Sequence, residues 1–128
     1  MSLSRAVVTG GAGFIGSNLV DRLVDDDTEV LVVDDLSTGM LSRLAGARRR
    51  GQVQFHQLDV RAPELRDVFV GFAPRVVFHL AAQIDVRVSV ADPVRDAEVN
   101  LLGTINVLNA AREAAVERVV FASSGGAT

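Results

Sequence analysis

The sequence predicts a doubly wound α/β domain on a mostly parallel sheet, with strands in the order 3-2-1-4-5. Three observations carry that prediction. Five short, β-branched runs alternate with longer segments of helical periodicity. A cluster of glycines closes the first run, and an aspartate closes the second. Alternation of this kind puts helices on both faces of a parallel sheet. A glycine turn and an acid at the ends of its first two strands then share one edge.

The elements follow in order. Arg5 to Thr9 is a short apolar run ending in glycines, and reads as a buried strand. From Phe14 to about Asp25, apolar residues at Phe14, Ile15, Leu19, Val20, Leu23 and Val24 make a helix face. Glu29 to Asp34 is the second strand. Leu41 to Arg50 suits a short helix that Gly46 weakens. Val53 to Leu58 is the third strand, with Val53, Phe55 and Gln57 on one face. Pro63 suits the first turn of a short helix running to about Gly71. Arg75 to Leu80 is the fourth strand. Asp92-Pro93 supplies an N-cap and a first-turn proline for a long helix to about Ala115. Arg118 to Ala122 is the fifth strand. No linker, repeat or low-complexity tract interrupts the series, so the chain reads as one domain.

Composition narrows the function classes. With 128 residues, 48 % of them hydrophobic, the chain has enough apolar material for a core and too much for a disordered segment. A net charge of −3 without a basic block gives no reason to expect nucleic acid or an anionic membrane. There is no cysteine, which removes disulfides and thiol chemistry. No apolar run reaches the roughly 18–20 residues of a membrane span, and the first strand begins too early to leave room for a signal peptide. A cytoplasmic protein is expected. The chain also has no tyrosine and no lysine, all thirteen basic residues being arginine. A reaction that needs a Tyr–Lys pair is therefore beyond these residues alone.

Other conspicuous groups have plain explanations. Asp25-Asp26-Asp27 reads as a solvated helix end and Arg48-Arg49-Arg50 as a solvated turn. His56 and His79 have no partner at ligand spacing, so no metal is expected.

The chemistry lies in Thr9-Gly10-Gly11-Ala12-Gly13-Phe14-Ile15-Gly16, between the first strand and the first helix. It holds G-x-G-x-x-G at Gly11, Gly13 and Gly16, and a second register at Gly10, Gly13 and Gly16. Glycine permits positive φ in the turn, close backbone approach to a pyrophosphate and tight helix–strand packing. The N–H groups at the helix start, with the positive end of its dipole, then face phosphate. Asp34 follows Gly16 by 18 residues, at the end of the second strand. A carboxylate there accepts ribose hydroxyls and repels a 2′-phosphate. With Asp35 beside it and no arginine before Arg43, NAD is favoured over NADP.

These residues resemble the extended short-chain dehydrogenase/reductases, and among them the UDP-glucose 4-epimerases. Val8 to Ser17 matches the opening of that family. The likeness continues through Val33-Asp34-Asp35-Leu36-Ser37-Thr38-Gly39, Asp59-Val60, His79-Leu80-Ala81-Ala82-Gln83, Val99-Asn100 with Gly103-Thr104, and Val119 to Ser124. The resemblance implies a Rossmann-type fold and NAD as cofactor. It puts Gly10, Gly13, Phe14, Ile15 and Gly16 at the pyrophosphate. Asp34, Ser37, Thr38 and Gly39 would surround the adenosine ribose, and Asp59 and Val60 would flank the adenine. Leu80, Ala81 and Ala82 would line the cofactor path, with Asn100 holding nearby backbone. Ser124, or alternatively Ser123, would be the catalytic serine on the sugar hydroxyl.

The implied reaction is transient oxidation at C4 of a UDP-sugar. A tyrosinate removes the hydroxyl proton while NAD takes the hydride, which later returns to the other face of the sugar. The Tyr-x-x-x-Lys motif and the sugar-nucleotide domain have no counterpart in these residues, so the chain reads as an incomplete NAD-binding domain, truncated after the fifth strand. Ser123-Ser124-Gly125-Gly126 departs from the family's triple serine, which leaves the serine open by one position. Two other readings stand beside it: an NAD-binding module without catalysis, and a fragment of a nucleotide-sugar dehydratase. The long helix (about 92–115) has one apolar stripe at Val94, Ala97, Leu101, Ile105 and Leu108 and another at Val99, Leu102, Val107 and Ala110. Through it the family commonly forms homodimers, and an uncovered apolar surface is expected here.

Overall fold

The structure, a computed structural model, describes residues 4–37, 39–80 and 93–121. Five parallel strands form one sheet in the order β3-β2-β1-β4-β5. They are β1 (Arg5–Thr9), β2 (Glu29–Asp34), β3 (Val53–Gln57), β4 (Val76–His79) and β5 (Arg118–Phe121). The helices are α1 (Phe14–Asp25), α2 (Ala45–Arg50), α3 (Leu65–Phe72) and α4 (Pro93–Glu113).

Side-chain alternation divides the core in two. Ala6, Val8, Val30, Val32 and Val76 face α1 and α2, packing with Val20, Leu23, Val24, Leu44 and Ala47. Val7, Leu31, Val33 and Val77 face the other way, against Leu65, Phe69 and Phe72 of α3 and Val107 and Ala110 of α4. The inner strands are therefore apolar on both faces, as a sheet covered by helices on each side requires. Each such Val or Leu stabilises the fold by about 1.5–3 kcal/mol through its removal from water.

The elements match the expected ones in kind and order but not in every bound; the expected Asp92 cap and the Ala122 end of β5 lie outside the described residues. The segment from Leu41 to Arg50 is two pieces, a 3-10 turn at Leu41–Leu44 and then α2. Pro63 precedes α3 instead of opening it. Its turn is closed by hydrogen bonds from Ala62 N–H to the Asp59 carbonyl (2.9 Å) and from Leu65 N–H to the Ala62 carbonyl (3.2 Å). β3 stops one residue early at Gln57, and β4 is one residue shorter at each end, at Val76–His79, although Leu58 and Leu80 still donate to the Asp34 and Thr9 carbonyls of the strands beside them. α4 ends at Glu113, two residues short, and the chain reverses at Ala115 with φ 56°. The Asp25 and Arg50 side chains are not merely solvated: Arg50 reaches Asp21 (3.1 Å) and Asp25 (3.3 Å), joining the ends of α1 and α2.

The strands finish almost level. Thr9 pairs with Val33 and His79, Asp34 with Gln57, and His79 with Phe121. The glycine turn, Asp34, the segment after β3 and Leu80 consequently lie along one edge of the sheet.

Candidate functional site

The turn after β1 opens at Gly10, whose φ of 72° belongs to the left-handed region that glycine enters without cost. Its N–H donates to the Val33 carbonyl (2.7 Å), and its own carbonyl accepts the Gly13 N–H (3.1 Å). Gly16 is required for a different reason. A Cβ there would lie 2.8 Å from Gly11 Cα and nearer still to the Gly10 carbonyl oxygen, so only a bare Cα lets α1 start against the turn. Gly13 caps α1 without a side-chain hydrogen bond, and the first turn contains no acid. Ser17 N–H makes the bond to the Gly13 carbonyl (2.9 Å). Phe14 and Ile15 are exposed, at 73 % and 64 %, on the turn where backbone donors and the helix dipole favour an anion.

Asp34 is tied into this turn. Its Oδ2 accepts the buried Ala12 N–H at 3.0 Å, and its Oδ1 accepts the Leu36 N–H at 2.7 Å. Ala12 uses its carbonyl as well, accepting the Met40 N–H (2.9 Å) and the Arg43 Nη1 (3.2 Å). Gly39 closes over the carboxylate, since a Cβ at that position would sit 2.9 Å from Asp34 Oδ2 and 3.0 Å from Ala12 Cβ. Asp35 is exposed and accepts the Ser37 N–H (2.9 Å). The absence of an arginine before Arg43 is therefore misleading in space. The 3-10 turn brings Arg43, nine residues past Asp34, back onto the glycine turn.

The segment after β3 lies alongside, because Leu58 N–H continues the ladder to the Asp34 carbonyl (3.1 Å). Asp59 shapes its turn by accepting the Arg61 N–H (2.8 Å), and it pairs with the Arg61 guanidinium at 2.7 Å. The Arg61 side chain, more than its backbone N–H, holds the Asp59 carboxyl below its ordinary value against the opposing effect of partial burial. Val60 is buried against α4 so closely that a Cβ on Gly103 would come within 2.8 Å of it.

Asn106 belongs to no motif in the sequence, yet it anchors this segment. Its Nδ2 donates to the Val60 carbonyl (2.7 Å) and the Ala62 carbonyl (2.8 Å). The available signal is a lone amide between Ile105 and Val107, three residues past the small Gly103. Asn100, expected to hold backbone, is half-buried on the same helix.

Leu80 is held beside β1 by its N–H, which donates to Thr9 Oγ1 (2.9 Å) and the Thr9 carbonyl (3.1 Å). Thr9 Oγ1 also meets His79 Nδ1 at 2.7 Å, and His79 Nε2 lies 3.5 Å from Thr104 Oγ1. His79 is buried edge-on to Phe121, and desolvation pushes its pKa below the ordinary value. Thr38, Ala81, Ala82, Ser123 and Ser124 lie outside the described residues.

The arrangement thus provides a helix start free of side-chain caps, glycines packed where a Cβ would intrude, and an anchored carboxylate on the neighbouring strand. That set fits a dinucleotide: donors for a pyrophosphate, and an acceptor for a ribose. Among the described residues, no helix is long and apolar enough to cross a membrane.

Comparison with known proteins agrees with this geometry. The UDP-glucose 4-epimerase of Mycolicibacterium smegmatis is 48 % identical over 122 residues, covering 95 % of this chain and 39 % of that protein. The solved UDP-glucose 4-epimerase of Thermus thermophilus, a complex with NAD, superposes with a TM-score of 0.85 at 48 % identity, over 94 % of this chain and 38 % of that one. The Thermotoga maritima UDP-glucose 4-epimerase, solved with UDP-glucose, gives 0.87 at 40 % identity, over 96 % and 38 %. The chain therefore spans about two-fifths of the length of these relatives. The model of the NAD dependent epimerase/dehydratase family matches residues 6–127, and with the glycine turn, the anchored Asp34 and the five-stranded sheet in place, the chain belongs to that family.

Proposed function

We propose that these residues are the NAD-binding portion of a UDP-sugar 4-epimerase, an incomplete dinucleotide-binding domain that works with a sugar-nucleotide domain supplied by further chain. The observation that carries the reading is the Asp34 carboxylate, fixed by the Ala12 and Leu36 N–H groups beside the uncapped start of α1. In this reading Gly10, Gly13, Phe14, Ile15 and Gly16 receive the pyrophosphate. Asp34, Ser37, Thr38 and Gly39 hold the ribose, and Asp59 and Val60 border the adenine. Leu80, Ala81 and Ala82 line the path towards the nicotinamide, Asn100 steadies the backbone there, and Ser124 (or Ser123) meets the sugar hydroxyl. NAD, when bound, supplies the hydride acceptor. The work of this chain is to bind and orient it. With no tyrosine and no lysine, the 128 residues do not themselves provide the tyrosinate of the epimerase reaction.

Calorimetric titration of the chain with NAD and, separately, NADP tests the reading. Heat with NAD and little or none with NADP is expected. Heat with NADP as strong as with NAD overturns it, and a folded sample that gives no heat with either means that further chain is needed to complete the pocket and that these residues have no function of their own.

The same reading includes a cytoplasmic protein that forms a homodimer through α4. Val94, Leu101, Ile105 and Leu108 are exposed at 66 %, 60 %, 46 % and 44 %, a stripe at heptad-like spacing. Val107 and Ala110, from the other expected stripe, are buried against the sheet and α3, whereas Leu102 is exposed. A monodisperse monomer in sedimentation velocity would argue against the dimer.

A further inference from the structure

Residues 59–62, between β3 and α3, carry more constraint than a surface link needs. Asn106 reaches across from α4, and its Nδ2 donates to the Val60 carbonyl (2.7 Å) and to the Ala62 carbonyl (2.8 Å). The Ala62 N–H closes back onto the Asp59 carbonyl (2.9 Å), and Val60 is buried against Gly103. Arg61 works from the solvent side. Its backbone N–H and its Nε donate to Asp59 Oδ1 (2.8 and 3.1 Å), and its Nη2 donates to Oδ2 (2.7 Å). Both side chains are partly exposed, and an ion pair of that kind adds little to stability. What the pair does is fix the direction of a carboxylate whose backbone Asn106 already steadies.

We infer that Asn106 is a positioning residue for base recognition. By pinning the Val60 and Ala62 carbonyls it keeps the Asp59 carboxylate in one place, so that the chain selects a purine with an amino group at C6 over one with a carbonyl there. The inference rests on the NAD-binding reading above and deepens it by naming what makes the base edge selective. An ionised carboxylate only accepts hydrogen bonds. Adenine offers it the 6-amino group. Hypoxanthine has a carbonyl at C6, which a carboxylate repels, but it carries a hydrogen on the adjacent N1. A carboxylate free to swing meets that N1–H instead and discriminates little. One that cannot swing leaves the C6 carbonyl facing an anion. Base selectivity therefore depends on rigidity, and the rigidity comes from a residue on α4, 46 positions beyond Val60. Holding the turn in advance also keeps the cost of ordering it out of the binding step.

The test is calorimetric titration of the 128-residue chain with NAD and with nicotinamide hypoxanthine dinucleotide, comparing the parent, Asn106→Leu, Asn106→Gln, Arg61→Ala and Asn109→Ala. The parent should bind NAD about tenfold more tightly than the hypoxanthine analogue, the scale of one hydrogen bond to a charged group. Asn106→Leu should bring that ratio close to one, mainly by weakening NAD. Asn106→Gln keeps an amide nitrogen and should recover part of the preference. Arg61→Ala frees the carboxylate from the other side without touching α4. It should have the same effect, and it carries the test if Asn106→Leu does not fold. Asn109 is exposed on the same helix, and Asn109→Ala should leave both affinities unchanged. A merely structural role would weaken the two ligands alike. An unchanged ratio in folded Asn106→Leu, or in Arg61→Ala where that variant alone folds, overturns the inference and leaves the NAD reading intact. A parent that binds the two dinucleotides equally does the same. A parent that binds neither removes both.

Discussion

Replacing Gly16 by alanine probes the closest packing in the glycine turn. A methyl group at that position would meet only backbone: the Gly10 carbonyl oxygen, Gly11 Cα at 2.8 Å and the Gly10 carbonyl carbon at 2.9 Å. No side chain can rotate away, so relief requires α1 to lift off the end of β1. Overpacking of this kind costs about 1–3 kcal/mol, and a backbone neighbour puts it at the upper end, about 3 kcal/mol. Alanine recovers up to about 1 kcal/mol through its better helix propensity. The net expectation is a loss of about 2 kcal/mol, which lowers the melting temperature by about 8 °C in a domain of this size. Because α1 presents its first N–H groups to the pyrophosphate in the proposed site, NAD affinity should fall about tenfold or more as well. Gly71→Ala is the control. Nothing lies within 4 Å of a Cβ there, so that change should stabilise α3 by up to about 1 kcal/mol. Urea denaturation followed by circular dichroism gives the stabilities, and calorimetry gives the affinity. A Gly16→Ala chain as stable as its parent, with NAD binding unchanged, would refute the reasoning.

Other expectations follow from the same geometry. Asn106→Leu keeps the branched shape but strips partners from the Val60 and Ala62 carbonyls, so it should cost about 1–3 kcal/mol in urea denaturation. His79 is buried and its folded pKa lies below the ordinary 6.5, so the unfolded chain binds the proton more readily. Its contribution to stability is thus complete above about pH 6.5 and is lost as pH falls through the folded value. Denaturation midpoints measured across that range should show the loss, and His79→Gln should flatten it. Asp59 acts further into acid: its contribution is present above 3.8 and lost as pH falls through its lowered folded pKa, a slope that Asp59→Asn removes. Ile105→Glu on the exposed stripe should reduce self-association in sedimentation velocity while changing monomer stability by no more than about 0.5 kcal/mol.

Much of this was legible in the residues, for reasons that also explain what was not. β1, α1 and β2 were readable to the residue because Val7, Val8 and the run Val30 to Val33 are buried on both faces and the glycines punctuate them. The boundaries slipped where local chemistry outweighed periodicity. Pro63 sits in a turn held by Asp59 and Ala62 carbonyls, and Leu41 to Leu44 winds too tightly to be continuous with α2. Asp34 was identifiable as a candidate because the pattern gives the end of a strand directly, and it does close β2. Arg43 and Asn106 were not, because each acts through contacts with residues far along the chain: Ala12 is 31 positions from Arg43, and Val60 is 46 from Asn106. Asp59 makes a turn-forming bond with Arg61 beside the proposed adenine edge, a local contact that the resemblance alone did not indicate.

The double use of the Asp34 carboxylate has an evolutionary consequence. A residue that only touched cofactor could drift freely whenever selection on cofactor choice relaxed. Asp34 also joins the glycine turn to the loop after β2, so its loss loosens the empty protein before any ligand is present. In the proposed reading, selection for folding alone therefore guards the preference for NAD. A lineage moving towards the phosphorylated cofactor would first need a substitute acceptor for the Ala12 and Leu36 N–H groups.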